Sequence, residues 1–259
     1  VPQKMMMPRH LGQYSNGQQQ FVNCIKRTLE QITISGTKLN ILKIMKDNKL
    51  NWWKFHSKSP KTITFIVTKD CQLACKYCYL VSKNKYGRMS LEIAKKAVDY
   101  VLDNRTFFNE DSVYFDFIGG EPFLEIDMID QLCDYIKIQM YRKNHPWFDH
   151  HVFSFSTNGI NYNSQKVQDF IKKNKKHLSI GITIDGTKMK HDLNRIYKDT
   201  GKGSYDDVVK NIPLWLQQFP EESTKVTLSS VDLPYICESV LHLFRLGLHK
   251  VFMNCVFED

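Results

Sequence analysis

The stretch TFIVTKDCQLACKYCYLVSK, residues 64–83, places three cysteines within eight positions directly after an apolar, β-prone run. Cys71, Cys75 and Cys78 have the spacing Cys-x3-Cys-x2-Cys, which lets one short loop wrap around a compact inorganic cluster. Thiolate is the preferred ligand in iron–sulfur chemistry. A [4Fe–4S] cubane has one more iron than this loop has cysteines, so one iron stays open, and an open position is typical of a reactive metal site. The loop therefore predicts a reactive iron–sulfur cluster.

Two other interpretations of the three thiols stay open. The first is a zinc site completed by a distant residue such as His56 or Cys133. Zinc knuckles generally combine two closely spaced ligand pairs, and the sequence shows no second pair. The second is a group of ordinary buried cysteines, which is an unusual use of three thiols on one short loop.

Composition limits the class of protein. At 259 residues, with 42% hydrophobic and 24% charged residues, the chain has ordinary globular usage and enough length to bury a core. Seven cysteines are few and odd in number, whereas a secreted disulfide scaffold is shorter and denser in cysteine. No apolar run approaches the roughly 18 residues that span a bilayer, and the N-terminus lacks the apolar part of a signal peptide. We therefore expect a soluble, cytoplasmic protein with no membrane partner.

The formal net charge of +9 suggests anionic partners, but the basic residues are spread along the chain. Clusters such as IKKNKKH, residues 171–177, fall where a helix is expected to end, which is a favourable place for cations. A nucleic-acid groove interleaves aromatic residues with a continuous basic stripe, and the sequence shows none. We expect no nucleic-acid partner, while an acidic or phosphate-bearing partner stays open.

The chain divides into two parts. Residues 1–60 are expected to form a flexible, Gln-rich tail and a lead-in that packs outside the main domain. From residue 61 to residue 259, six short β-branched or aromatic runs alternate with helical-period segments, which predicts an α/β fold with a parallel sheet. Only two residues follow the sixth run, so we expect this core to be truncated after its last strand. The six predicted strands are residues 62–68, 112–118, 151–157, 178–184, 225–231 and 250–257.

Polar signals fall just after four successive predicted strands. The cysteine loop follows the first, GGEP (119–122) the second, STNG (156–159) the third, and IDGTKMKHDLNR (184–195) the fourth. The carboxyl ends of parallel strands meet at one edge, where neighbouring βα loops converge. The sequence therefore predicts one composite site at that edge.

The loop and its neighbours resemble the radical S-adenosylmethionine (SAM) superfamily, whose signature is CxxxCxxC and whose GGEP-type motif follows one strand later. The resemblance covers about residues 62–257 and implies the partial (β/α)6 barrel of that family. It also implies two cofactors, a [4Fe–4S] cluster and SAM. In the family, SAM chelates the open iron through its amino and carboxylate groups. An electron from the reduced cluster then breaks a C–S bond of SAM, giving a 5′-deoxyadenosyl radical that abstracts a substrate hydrogen.

The resemblance implies roles for individual residues, with the chemistry itself carried by cluster-bound SAM. Cys71, Cys75 and Cys78 match the cluster ligands. The Tyr77 position is the aromatic that approaches the adenine. The remaining implied SAM contacts are Gly119, Gly120, Glu121 and Pro122 for the amino group, Thr183 for the ribose, Arg195 for the carboxylate, and Ser156 and Asn158 as further candidates. Arginine suits a carboxylate because its planar fork pairs with it bidentately.

SIGITIDGTKMKHDLNR followed by GKGSYDDVVKNI resembles the peptide- and protein-modifying branch of the superfamily, which includes anaerobic sulfatase maturases. The segment 52–80 with DFIGGEPFLEI is most similar to maturases of peptides that carry repeated Cys-x-x-x units. This implies hydrogen abstraction from a Cys-containing precursor peptide, thioether cross-linking, and an electron donor such as ferredoxin or flavodoxin. A formylglycine-generating sulfatase maturase and a non-catalytic zinc- or cluster-binding fragment are the alternatives. Such maturases continue into a cysteine-rich auxiliary-cluster region, which this sequence does not include.

Overall fold

The computed structural model describes residues 59–80 and 87–256 of the chain. The predicted tail and lead-in, residues 1–60, lie almost entirely outside this part, so the proposed division into two segments stays a prediction. In the described ranges no helix combines the length and apolarity needed to cross a membrane.

The described core contains six parallel strands, which confirms the predicted α/β class. Strands β1 to β4 form one sheet in chain order, β5 and β6 form a second pair, and a parallel bridge between Thr183 and Lys225 links the two groups. The six strands thus follow one another from β1 to β6 without closing into a barrel. Their bounds are β1 Lys61–Thr68, β2 Val113–Gly119, β3 His151–Thr157, β4 Leu178–Ile182, β5 Thr224–Leu228 and β6 Val251–Cys255.

Three strands, β4, β5 and β6, are shorter than the sequence pattern predicts, and β6 extends only from Val251 to Cys255. β4 ends at Ile182 because the following residues turn toward β5, where the Ile184 amide donates to the Lys225 carbonyl at 3.0 Å. β5 ends at Leu228 because Ser229 and Asp232 form a reciprocal capping box that starts a short 3-10 helix.

Seven α-helices occupy the connections between the strands of the described residues. The first is capped by Ser90, whose side chain accepts from the Ile93 amide, as the sequence predicts. The helices are α1 Leu91–Asp103, α2 Ile126–Arg142, α3 Gln165–Asn174, α4 Lys188–Asn194, α5 Tyr205–Val209, α6 Ile212–Gln218 and α7 Ile236–Arg245.

The sheet has one buried face and one open face. Alternation along β3 buries His151, Phe153, Phe155 and Thr157, and the same period holds along β5. The buried face packs on the helices, with Phe117 stacked on Phe155 at 5.2 Å between ring centroids. The residues in between define the open face. Register places Thr64, Asp116, Ser154 and Ser179 side by side in one row across it.

Candidate functional site

The cysteine loop leaves β1 at the carboxyl edge of the sheet and is held there by backbone hydrogen bonds. Cys71 is buried, and Cys75 and Cys78 are half-buried. The loop lies antiparallel to residues 194–198, which follow α4. Three amide-to-carbonyl bonds join the two segments: Ala74 to Ile196 at 2.8 Å, Lys76 to Asn194 at 3.1 Å, and Lys198 to Gln72 at 2.9 Å. The structure therefore fixes the cysteine loop and the segment that carries Arg195 as one unit.

Gly119 and Gly120 lie against the start of the same loop. Two backbone hydrogen bonds join the segments: the Gly120 amide donates to the Thr68 carbonyl and the Glu121 amide to the Asp70 carbonyl, each at 2.8 Å. A Cβ on Gly119 would lie 2.3 Å from the Thr68 carbonyl oxygen, and one on Gly120 would lie 2.1 Å from that of Asp70. Both distances are far inside van der Waals contact. The glycines are thus required for the end of β2 to reach the cysteine loop.

Glu121 is 1% exposed and binds the ends of two strands together. Its carboxylate accepts hydrogen bonds from the Thr157 hydroxyl at 2.6 Å, the Asn158 amide at 2.8 Å and the Phe123 amide at 3.1 Å. Burial raises the pKa of Glu121 above its ordinary value, while these hydrogen bonds and the charge of Arg195 act in the opposite direction. Its carboxylate faces protein donors, and Pro122 starts the adjoining 3-10 helix. The implied contact of this motif with an amino group stays a prediction.

Tyr77, Asp185 and Arg195 form a buried chain of hydrogen bonds behind the loop. The Tyr77 hydroxyl donates to the Asp185 carboxylate and accepts from Arg195 Nη1 at 2.9 Å. Burial, together with the Asp185 carboxylate, raises the pKa of Tyr77, and the charge of Arg195 only partly opposes this. Asp185 also accepts from the Thr227 amide at 3.0 Å. Tyr77 is therefore locked in place by its hydroxyl, with its ring on the cysteine loop.

Arg195 is 7% exposed, and its Nε has no hydrogen-bond partner among the described residues. Burial alone would lower the pKa of this guanidinium, but Tyr77, Cys75 and Asp185 outweigh burial and raise it. A buried N–H without an acceptor is costly, and this one can donate to a bound group. The guanidinium beside Cys75 is thus suited to a carboxylate, as the sequence resemblance implies.

His191, which the sequence analysis did not single out, anchors Arg195 from the other side. Its Nδ1 accepts from the Asp185 amide at 3.3 Å, so its Nε2 carries the proton and donates to Ser204 Oγ at 3.1 Å. Ser204 in turn donates to the Arg195 carbonyl at 2.8 Å. Burial lowers the pKa of His191 well below its ordinary value, which keeps the ring neutral. The sequence signal for His191 was its place in IDGTKMKHDLNR, shortly after Asp185. That spacing does not show which groups the imidazole will contact.

The other predicted residues reach the same edge with different contacts. Asn158 donates to Gln72 Oε1 at 3.1 Å and approaches Cys71 Sγ at 3.7 Å, so it supports the cysteine loop. Thr183 follows β4, and its amide donates to the Thr157 carbonyl at 3.1 Å. Ser156 lies on the open face, where its hydroxyl accepts from the Lys225 ammonium. Lys225 was not predicted, because a lysine at the start of KVTLSSV is indistinguishable from a surface residue.

The residues at this edge suit the two implied cofactors in kind. An open-iron cluster needs thiols, and this edge has three of them on one loop that the glycines approach closely. An amino-acid carboxylate needs a donor, and the guanidinium nitrogen Nε of Arg195 has no acceptor among the described residues. As the described side chains stand, no three His, Cys, Asp or Glu groups converge to hold a metal ion. Cys71 Sγ instead accepts from the Leu73 amide at 3.4 Å. The assignment of Cys71, Cys75 and Cys78 as ligands therefore rests on the loop and its chemistry.

Comparison with known proteins gives a family. The sequence profile of the Radical SAM superfamily matches residues 65–235, which is more than half of the chain. An uncharacterised protein of Methanocaldococcus jannaschii is 31% identical over 198 residues, 74% of this chain and 61% of that protein. A cysteine-type anaerobic sulfatase-maturating enzyme of Clostridium novyi is 26% identical over 69% of this chain and 46% of its own length. The subtilosin biosynthesis protein AlbA of Bacillus subtilis is 28% identical over 60% of this chain and 30% of its own.

Solved structures agree on the fold. The structure of anSMEcpe with bound AdoMet and Kp18Cys peptide superposes with a TM-score of 0.64 at 21% identity, covering 77% of this chain and 52% of that one. At that identity the likeness concerns the fold alone. The chain spans about half of this structure and between 30% and 61% of the curated relatives reported above.

Proposed function

The chain belongs to the radical SAM superfamily, a family that uses a [4Fe–4S] cluster and SAM, and from that premise we propose that it modifies a Cys-containing peptide. In this proposal Cys71, Cys75 and Cys78 hold the cluster and leave one iron open for SAM. The bound cofactors would supply the radical chemistry that removes a substrate hydrogen, with the electron coming from an external donor. The protein supplies the binding, orientation and shielding of the reacting groups.

The observation that carries the proposal is the union of the cysteine loop with residues 194–198. It places Tyr77 and the unpartnered Nε of Arg195 beside Cys75 before any ligand arrives. Preorganised charge of this kind costs no rearrangement when the ligand binds. Arg195 would take the SAM carboxylate, Tyr77 would border the adenine, and Thr183 would contact the ribose. Cys71 and Cys75, on the same rigid loop, would hold the cluster at a fixed distance from these groups.

The GGEP motif has a supporting part in the proposal. Gly119 and Gly120 let the end of β2 approach the cysteine loop, and main-chain carbonyls of this end would receive the amino group of SAM. Glu121 fixes the ends of β2 and β3 through its three accepted hydrogen bonds. Pro122 and Asn158 complete the surroundings of SAM, whereas the Ser156 hydroxyl is engaged by Lys225 on the open face.

A peptide substrate is supported by the relatives, which include a sulfatase-maturating enzyme and a bacteriocin biosynthesis protein. We propose a maturase that forms a thioether cross-link in a ribosomally made, Cys-containing precursor. Oxidation of a sulfatase Cys or Ser to formylglycine is the second candidate, favoured by the likeness to the Clostridium novyi enzyme. A reduced flavodoxin or ferredoxin would supply the electron, in the cytoplasm, without nucleic acid or membrane.

The test is anaerobic reconstitution of the chain, followed by iron and sulfide quantitation and by dithionite with SAM. We expect about four irons per chain and formation of 5′-deoxyadenosine, both lost in the Cys71→Ala, Cys75→Ala, Cys78→Ala variant. Zinc in place of iron would favour the non-catalytic binding fragment instead.

Mass spectrometry of a Cys-repeat peptide separates the two enzymatic candidates. Loss of two hydrogens with a new ring indicates a thioether, whereas an aldehyde on a single residue indicates formylglycine. Iron and SAM cleavage with neither peptide product would contradict the peptide part of the proposal and leave the radical SAM part standing.

A further inference from the structure

The open face of the sheet carries an ammonium group without a carboxylate partner. Lys225 is half-buried on β5, and its nitrogen donates to the Ser156 hydroxyl of β3. No carboxylate of the described residues forms an ion pair with it. By contrast, the partly or fully buried lysines Lys61, Lys137 and Lys190 each lie within 4.0 Å of a carboxylate. A half-buried charge that meets only a hydroxyl is incompletely compensated.

Register shows where this ammonium lies. The backbone of Lys225 pairs with Thr183, at the edge where SAM is proposed to bind. Its side chain reaches back to Ser156, which pairs with Gly181, two residues before Thr183. Two residues of strand correspond to about 6.6 Å. The charge therefore lies deeper on the open face than the residues proposed to hold SAM.

Gly181 gives the lysine its path across the sheet. A Cβ at this position would lie 3.9 Å from Lys225 Cε, so the side chain runs directly over the glycine. On the other side, Lys225 pairs with Phe252 of β6, whose ring is 57% exposed on the same face. The ammonium thus lies between a row of small hydroxyl and glycine positions and an exposed aromatic ring.

We infer that Lys225 binds a carboxylate of the substrate peptide, either an acidic side chain or a terminal carboxylate. The inference rests on the proposed peptide-modifying function and names the chemistry that the substrate must present to the open face. Arg195 already serves the carboxylate of SAM at the edge, which leaves Lys225 for the substrate. Ser156 orients the ammonium by accepting one of its hydrogen bonds, and a second N–H of the ammonium donates to the incoming carboxylate.

The test uses two fluorescent peptides of matched length, with one central Cys flanked by Glu in the first and by Gln in the second. Both are titrated anaerobically into the reconstituted chain with SAM, and binding is followed by anisotropy. We expect the Glu peptide to bind about tenfold more tightly, the value of one charge-assisted hydrogen bond. Lys225→Met should abolish the preference, and Lys225→Arg should keep it. Lys225→Glu should instead prefer a third peptide of the same length, in which Lys flanks the Cys.

Controls separate this inference from other effects. Lys96→Met removes the same charge from an exposed position of α1 and should leave the preference unchanged. The affinity for SAM and the formation of 5′-deoxyadenosine without peptide should be unaffected by Lys225→Met, which also shows that the variant is folded. Weakened SAM binding in Lys225→Met would assign the lysine to SAM and overturn the inference.

Two further outcomes distinguish the inference from the proposed function. Equal affinity of the wild-type chain for the Glu and Gln peptides overturns the inference alone. No binding of any peptide by a chain that still cleaves SAM overturns the proposed peptide substrate, and the inference with it.

Discussion

Arg195 Nη1 donates a hydrogen bond of 2.9 Å to the Tyr77 hydroxyl, and this contact joins the cysteine loop to a segment from the other half of the core. The same hydroxyl donates to Asp185, so one phenol lies between a cation and an anion. Asp185 and Arg195 are both buried, so water could not replace the Tyr77 hydroxyl as their hydrogen-bond partner. The arrangement couples the position of the loop to two further elements of the sheet.

Tyr77→Phe should therefore destabilise the protein and weaken SAM binding. The variant leaves a buried carboxylate and a buried guanidinium each short of one partner, at a cost of about 1–3 kcal/mol. Chemical denaturation of the chain without cofactors measures the first effect, and equilibrium binding after reconstitution measures the second. Tyr135→Phe is the matched control, because its hydroxyl also bonds a carboxylate, Asp99 at 2.8 Å, but on helices away from the loop. Equal SAM affinity in both variants would contradict the assigned role of Tyr77.

Gly120→Ala should displace the start of the cysteine loop. The new Cβ would lie 2.1 Å from the Asp70 carbonyl oxygen, a backbone atom that cannot rotate away. Overpacking of this kind costs about 1–3 kcal/mol, and iron incorporation should fall with it. Gly181→Ala provides the comparison, since its nearest contact would be an ordinary 3.4 Å. Similar unfolding midpoints for the two variants would show that the loop is free to move.

His191→Phe should raise the dissociation constant of SAM by up to about tenfold, the upper value of one hydrogen bond between neutral groups. Phenylalanine retains the volume of the ring but accepts nothing from the Asp185 amide and gives nothing to Ser204. Ser204, whose hydroxyl donates to the Arg195 carbonyl, then loses the donor that orients it. Ser204→Ala, which removes the next bond of the same chain, should act in the same direction. An unchanged SAM affinity in both variants would show that the side chains of His191 and Ser204 do not position Arg195.

Stability should fall as the pH drops from about 6.5 to 4. Burial, with a smaller effect of His177, lowers the pKa of His151 to about 4. Between about pH 6.5 and 4, His151 is therefore protonated in the unfolded chain and neutral in the folded chain. The contribution is fully present above about pH 6.5 and decreases toward pH 4, by up to about 3 kcal/mol. His145, whose pKa burial likewise lowers to about 4, acts with the same sign. The measurement is the unfolding free energy from pH 7 to 4, where His151→Phe should show a shallower slope.

The sequence was sufficient for the elements whose signal is local. Each of these signals lies within a few neighbouring residues: the cysteine spacing, the glycines of GGEP and the strand periodicity. The strands form the predicted parallel sheet, and the cysteines and GGEP lie at its predicted edge. The inward orientation of Lys225 was not predictable, because it depends on the single bridge that joins β4 to β5. Nor was the engagement of Glu121 by Thr157 and Asn158, since a carboxylate after Gly-Gly does not reveal which donors will surround it.

The antiparallel contact of the cysteine loop with residues 194–198 has a consequence for how the protein is made. The loop emerges early from the ribosome, but the segment that fixes it is synthesised only after four strands and their helices. Until then, the loop lacks the three backbone hydrogen bonds that join it to residues 194–198. Assembly machinery that delivers iron and sulfide should therefore act only after residues 194–198 have been synthesised.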